Sequence, residues 1–162
     1  MMNVDERKRA AWKLFKKAYR AQMNGDLDIA LLLYRQSIEL FPTAEAYTYL
    51  GWAHSFKKRF EQAIDLCKQA IEIDPDFGHP YNDIGAYLIE LDRLDEAIPW
   101  LEKAMEAPRY DARHYPYFNL GRLYAAKEMY NRALEMFRRA LEVKPDYEAA
   151  AQAADRLKRL IN

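Results

Sequence analysis

Apolar residues recur at helical rather than strand spacing along most of the chain. Ile64, Cys67, Ala70 and Ile71 fall three or four residues apart, and Leu134, Phe137, Ala140 and Leu141 repeat that spacing further on. Three such segments end in "ELFP", "EIDP" and "EVKP", where proline stops a helix at the residue before it. Short polar links, "MNGDLDIA", "FKKRFEQA", "ELDRLDEA" and "AKEMYNRA", separate the apolar-periodic segments. Pro99 in "DEAIPWLEKA" falls near the start of its helix, where a missing N–H costs least. The pattern predicts pairs of helices joined by tight turns, an all-α chain.

Small residues give the pairs a period. Gly51, Gly85 and Gly121 stand in related frames, "YTYLGWAHS", "YNDIGAYLI" and "YFNLGRLYA", at spacings of 34 and 36 residues. Twelve residues after each glycine comes Ala63, Ala97 or Ala133, and seven further on Ala70, Ala104 or Ala140. Pro75 and Pro145 close their units, and Pro108 closes its own slightly early. A weaker first copy uses Ala18, Ala30, Ser37 and Pro42. Glycine inside a helix costs about 1 kcal/mol relative to alanine, so its recurrence needs a packing reason. At 100° per residue, Tyr47, Leu50 and His54 share the stripe of Gly51. That stripe is predicted to face the second helix of the pair, with Ala63 as the small residue opposite.

These features resemble the tetratricopeptide repeat, a helix–turn–helix unit of 34 residues, over about residues 11–145. The resemblance implies a right-handed superhelical solenoid of antiparallel A and B helices, with the A helices lining the concave side. Repeats are expected at about 11–43, 44–77, 78–113 and 114–147. The tail "DYEAAAQAADRLKRLIN" reads as a capping helix over about 148–161, a further A helix without a B partner. Asp155 and Lys158 replace the glycine and the core residue of earlier copies, as a polar cap requires.

The other side of each A helix carries the candidate chemistry. In the second repeat, Glu45, Thr48, Tyr49, Trp52 and Phe56 turn roughly 60° to 160° from Gly51. The first repeat supplies Trp12, Phe15, Tyr19 and Met23 at matching places, the third His79, Asn82, Asp83 and Glu90. The fourth supplies Tyr115, Phe118, Asn119 and Arg122. An aromatic cluster of this extent on a surface marks an interaction site. Asn82 and Asn119 are expected to hydrogen-bond the backbone of an extended peptide. Arg122, with Arg156, is expected to take a carboxylate. Family members that grip the acidic tails of heat-shock chaperones use a Lys/Asn/Arg clamp on the first three A helices. Phe15, Tyr19, Tyr49, His79 and Asp83 hold the matching places, so binding of that type is not expected. The two-residue insertion in "EAPRYDARHYP" resembles repeat proteins that help assemble bacterial type IV pili. The connection over 108–117, with Tyr110, Tyr115 and Tyr117, reads first as a tyrosine-rich packing turn and second as a functional segment, since long connections in repeat arrays often carry function.

Composition narrows the function. Twenty-five basic and 25 acidic residues in 162 give no net charge, against a nucleic-acid partner. The start is charged throughout and no run approaches 18 apolar residues, so neither leader nor membrane partner is expected and the cytoplasm is the expected location. Cys67, the single cysteine, sits at a core place on its helix. Two serines outside any nucleophile motif and five glycines without a phosphate loop speak against catalysis. His54 reads as core, and His79 and His114 have no second ligand pair, so no metal or cofactor is expected. The expected function is a non-catalytic protein-interaction scaffold that binds a partner peptide or helix in an aromatic-rich concave groove. The alternative is self-association as a homo-oligomer, or assembly work in a larger complex such as a pilus or secretion system.

Overall fold

The computed structural model describes residues 1–162. Nine helices follow one another: α1 Val4–Met23, α2 Leu27–Leu40, α3 Ala44–Phe56, α4 Phe60–Ile73, α5 His79–Glu90, α6 Leu94–Glu106, α7 His114–Ala126, α8 Tyr130–Val143 and α9 Glu148–Ile161. The first eight pack as antiparallel pairs, each stacked on the next, and α9 closes the stack on α8. No helix is long and apolar enough to cross a membrane.

α1 starts well before the expected edge of the first repeat because Asn3 caps it. The Asn3 side chain accepts from the Glu6 N–H at 2.9 Å, and the Glu6 carboxylate accepts from the Asn3 N–H at 3.0 Å, so two orphan donors are satisfied.

Every turn within a pair uses the same device. Gly25, Lys58, Asp92 and Glu128 each adopt a left-handed backbone, with φ of 86°, 58°, 57° and 60°. The amides around each point back to the helix just ended: Lys58 N–H to Ser55 O and Arg59 N–H to His54 O, with the same pattern after α1, α5 and α7. These bonds satisfy carbonyls that the helix end leaves open and reverse the chain in three residues.

The small-residue columns are where paired helices touch. A Cβ on Gly51 would stand 3.0 Å from the Ala63 carbonyl oxygen. On Gly85 and Gly121 it would lie 2.4 Å from Leu101 Cδ2 and Phe137 Cε1. Ala63, Ala97 and Ala133 are fully buried opposite. Close approach explains the glycines.

The apolar interior falls into two main clusters. One joins Phe15, Ala18, Ala30, Leu31, Tyr34, Ala46, Leu50 and Ala53 across α1, α2 and α3. The other runs from Ala63, Ile64 and Cys67 on α4 to Ala154 and Leu157 on α9. Between them lie Gly51, Thr48 and His54, all buried. α9 keeps the half of its face that meets α8 apolar and turns Asp155 and Lys158 outward, where a B helix would otherwise lie.

Outside, the B-helix starts are tied to the next turn. Lys57 pairs with Asp28, Arg93 with Glu61 at 2.9 Å, and Lys127 with Asp95 at 2.5 Å. Such exposed pairs fix register more than they stabilise.

Candidate functional site

The inner faces of α1, α3, α5 and α7 curve around a cavity of about 990 Å³. Trp12, Phe15 and Tyr19 enter it from α1, Tyr49 and Trp52 from α3, His79, Asn82 and Asp83 from α5, and Tyr115 from α7. Tyr49 is the hub of the aromatic wall. Its ring centroid lies 5.0 Å from Phe15, 5.9 Å from Tyr19 and from Trp52, and 5.4 Å from His79. Trp12 stacks on Phe15 at 5.0 Å with the planes 11° apart. Phe15 is buried between Tyr34 and Tyr49, whereas Trp12 is 51% and Tyr19 40% exposed. One face of the wall is therefore anchored in the core and the other open to solvent.

Not every residue expected here is free to meet a ligand. Asn82 and Asn119 are both buried and face each other across the repeat boundary, the Asn119 amide donating to Asn82 Oδ1 at 3.0 Å. Arg122 is likewise engaged, donating to Asn119 Oδ1 at 3.1 Å and to Glu90 Oε1 at 2.9 Å. Asn82 and Asn119, expected to serve a peptide backbone, and Arg122, expected to take a carboxylate, thus also join α5 to α7. Phe118 packs against Phe137 and Tyr147, at 5.6 and 5.2 Å, because the turn before α9 brings Tyr147 over it. Thr48 is buried and its hydroxyl donates back to Ala44 O at 2.7 Å. Phe56 stands beyond Trp52, ring to ring at 5.1 Å, outside the cavity and half exposed.

The far wall lies beyond the A-helix positions counted from the sequence. Pro108, Arg109, Tyr110, Asp111, Ala112 and Arg113, from the longer connection between α6 and α7, all line the cavity. The segment is both a packing turn and a wall. It lies alongside the α4–α5 loop, with the Arg109 N–H donating to Asp76 O at 3.0 Å and the Gly78 N–H to Arg109 O at 3.1 Å. Tyr110 is buried against Gly78, where a Cβ would come within 2.4 Å of its own Cβ. Arg109 pairs with Asp74 at 2.5 Å and Glu45 at 3.0 Å and sits 4.2 Å above the Phe77 ring. Arg113 donates to the carbonyls of Met105, Ala107 and Tyr110. The two-residue lengthening was the sequence signal, together with a glycine just before α5.

The titratable groups are shaped by burial. Asp83 lies on the cavity floor, 8% exposed, with Oδ1 3.5 Å from His79 Nε2 and Oδ2 without a partner. Desolvation pushes its carboxyl above the usual range, and the nearby His79 opposes that shift. Burial also raises the phenols of Tyr49 and Tyr110, and the Tyr110 hydroxyl has no partner. Tyr34, under the wall, donates to Gln22 at 2.9 Å. Cys67 is enclosed beside Gly51, and burial pushes its thiol up, which leaves it a poor nucleophile. His54 is fully buried and held down to about 4, chiefly by desolvation and then by Arg35, Arg59 and Lys57. His79 stands among groove aromatics and His114 against Tyr115 and Tyr147. No group of three His, Cys, Asp or Glu side chains is arranged to hold a metal ion.

Stacked antiparallel helix pairs with a closing helix define an all-α solenoid of the helical-repeat class. The family models for the tetratricopeptide repeat match residues 44–77 and 78–146, and the chain belongs to that family. α1 and α2 lie outside the matched residues and join the array through their packing. Among curated relatives, the small glutamine-rich tetratricopeptide repeat-containing protein 2 of Saccharomyces cerevisiae is 29% identical over 102 residues. That alignment covers 62% of this chain and 30% of the yeast protein, so the chain spans about a third of this relative's length. The solved structure of Pseudomonas aeruginosa pilF superposes with a TM-score of 0.85 at 22% identity, covering 93% of this chain and 68% of that one. PilW, described as a type IV pilus biogenesis factor, gives 0.85 and 22%, with coverage of 93% and 70%. At that identity the likeness is one of fold.

Proposed function

We propose that this chain is a non-catalytic interaction module that seats a segment of a partner protein in the aromatic groove. Tetratricopeptide repeat domains generally mediate protein–protein interaction, and the family is typically non-catalytic. One observation carries the reading to this groove: Trp12 and Tyr19 stand about half exposed on an otherwise interlocked wall that opens on about 990 Å³ of concave space. Aromatic side chains held rigid by neighbours lose little entropy on binding and dominate interface energies. A cavity of this size takes a few side chains of an extended segment or one face of a helix.

The test is affinity capture from the native source with mass spectrometry, wild type beside Trp12→Ala/Tyr19→Ala. Both positions are exposed enough for the variant to fold, which circular dichroism checks. Partners held by the wild type and lost by the variant are the expected result. Identical sets refute the groove. Self-association on the same surface is the competing reading, and it predicts a mass in sedimentation that rises with concentration and falls back in the variant.

A further inference from the structure

The charges around the groove are unevenly engaged. Arg109 directs Nε and Nη2 at Asp74 and Nη1 at Glu45. Arg113 directs Nε, Nη1 and Nη2 at three backbone carbonyls. All three nitrogens of each guanidinium are already engaged within the protein, so an incoming anion has to compete with those bonds. The acids differ. Asp111 lines the cavity, is exposed and forms no ion pair. Asp83 is 8% exposed on the floor, with one oxygen unpartnered and the other 3.5 Å from His79. A buried carboxylate so poorly served is costly until a cation or donor reaches it. Tyr49 and Trp52 line the same cavity, ring to ring at 5.9 Å, with the half-exposed Trp12 and Tyr19 on its wall. Ring faces attract cations, and they do so more strongly away from water.

We infer that the groove selects a basic segment: a lysine or arginine of the partner lies across the aromatic wall with its head toward Asp83. This deepens the proposed function and rests on it. The partner's apolar residues then meet Trp12 and Tyr19, and the basic side chain supplies the missing counter-charge. An acidic segment would instead have to pull Arg109 from Asp74 and Glu45 while crossing unpaired carboxylates. Charge complementarity of this kind sets specificity more than total affinity.

The full-length chain is immobilised and probed with a positional-scanning library of acetylated, amidated heptapeptides, which carry no terminal charges. The expected result is at least fivefold enrichment of Arg or Lys over Asp or Glu at one position. Asp83→Asn should bring that ratio near one while leaving apolar preferences at other positions. Trp12→Ala should weaken binding at all positions and leave the basic preference. Apolar enrichment without a basic preference, or with an acidic one, overturns the basic-anchor inference alone and leaves the groove standing. A basic preference that survives in folded Asp83→Asn removes Asp83 from it. No enriched peptide at all overturns both readings. Should Asp83→Asn fail to fold, wild type with a bound library peptide is challenged by acetyl-arginine amide and by acetyl-norleucine amide. Equal displacement by the two overturns the inference.

Discussion

Three glycines at equivalent places offer a graded test of what the small-residue column does. Replacing each by alanine gains about 1 kcal/mol in helix propensity, so the sign of the net effect depends on the space opposite. At Gly51 the new Cβ meets the Ala63 carbonyl oxygen at 3.0 Å and Cys67 Sγ at 3.5 Å. A shift of a few tenths of an ångström relieves that, and propensity and crowding roughly cancel. At Gly121 the Cβ would stand 2.4, 2.6 and 2.8 Å from three atoms of the Phe137 ring, which is 2% exposed and backed by Phe118. Carbon contacts sit near 3.5–4.0 Å, so a rigid ring has to retreat about 1 Å into packed neighbours. Gly85 falls between, because Leu101, though fully buried, is the more flexible side chain. Overpacking of this kind costs about 1–3 kcal/mol. With a rigid ring opposite, the crowding falls in the upper part of that range, so Gly121→Ala should lose about 1–2 kcal/mol net, or roughly 2–8 °C in melting temperature for a chain of this size. Gly51→Ala should stay within about 2 °C of wild type. Urea and thermal unfolding of the three variants give the ranking. Phe137→Leu, which removes the outer ring atoms, should recover at least about 1 kcal/mol in the Gly121→Ala background as a coupling energy. Equal losses at Gly51 and Gly121, or an additive double variant, would refute the close-approach argument.

Three further outcomes follow from features elsewhere in the fold. Glu128 has φ of 60° at the turn where the first repeat has Gly25; Glu128→Gly should raise stability by about 0.5–1 kcal/mol, and a loss in urea unfolding would count against the left-handed cap. His54 is held down to about 4 in the fold, against about 6.5 when unfolded. The unfolded chain therefore takes the proton first as pH falls, and up to about 3 kcal/mol of stability should be lost between pH 6.5 and 4. His54→Leu should flatten that decline, and parallel loss in both proteins by urea midpoint would remove His54 as its source. Arg109 holds the 108–113 wall to α3 and to the α4–α5 loop; Arg109→Ala should cost under about 1 kcal/mol globally, its pairs being half exposed. The same change should speed hydrogen exchange at the Arg109 and Gly78 amides, and unchanged exchange there would mean that Tyr110 alone keeps the wall in place.

The parts of the fold that follow from one helix meeting its neighbour were readable in the chain. Gly51, Gly85 and Gly121 had to be small because a backbone or a ring lies against them, and the prolines marked where B helices stop. The left-handed turns were not readable as such, since Lys58, Asp92 and Glu128 give no sign of positive φ and only Gly25 does. In the groove, counting 100° steps indicates which way Tyr49 and Trp52 leave α3. It does not show that Asn82 and Asn119, 37 residues apart, will bond each other, because that depends on how one repeat is rotated on the next. The packing of Phe118 on Tyr147 was hidden for the same reason, its partner arriving from beyond the following helix. The wall made by Pro108 to Arg113 is irregular chain, and irregular chain has no period to count.

The break between the two apolar clusters falls at the Gly51–Ala63 contact, inside a helix pair and not at a repeat boundary. For anyone exchanging or grafting units of this protein, α3 belongs to two neighbourhoods at once: Leu50 and Ala53 face α1 and α2, while Gly51 meets Ala63 and Cys67 on α4. A graft cut before α3, where sequence alignment of repeats places the joint, would strip Leu50 and Ala53 from the cluster that encloses Tyr34 and leave that cluster open. A cut in the turn after α3 would carry Trp12, Phe15, Tyr19, Tyr49 and Trp52 together but would split the α3–α4 pair and bare Gly51. The aromatic half of the groove thus travels only with α4 attached, and the acidic floor on α5 belongs to the scaffold that receives it.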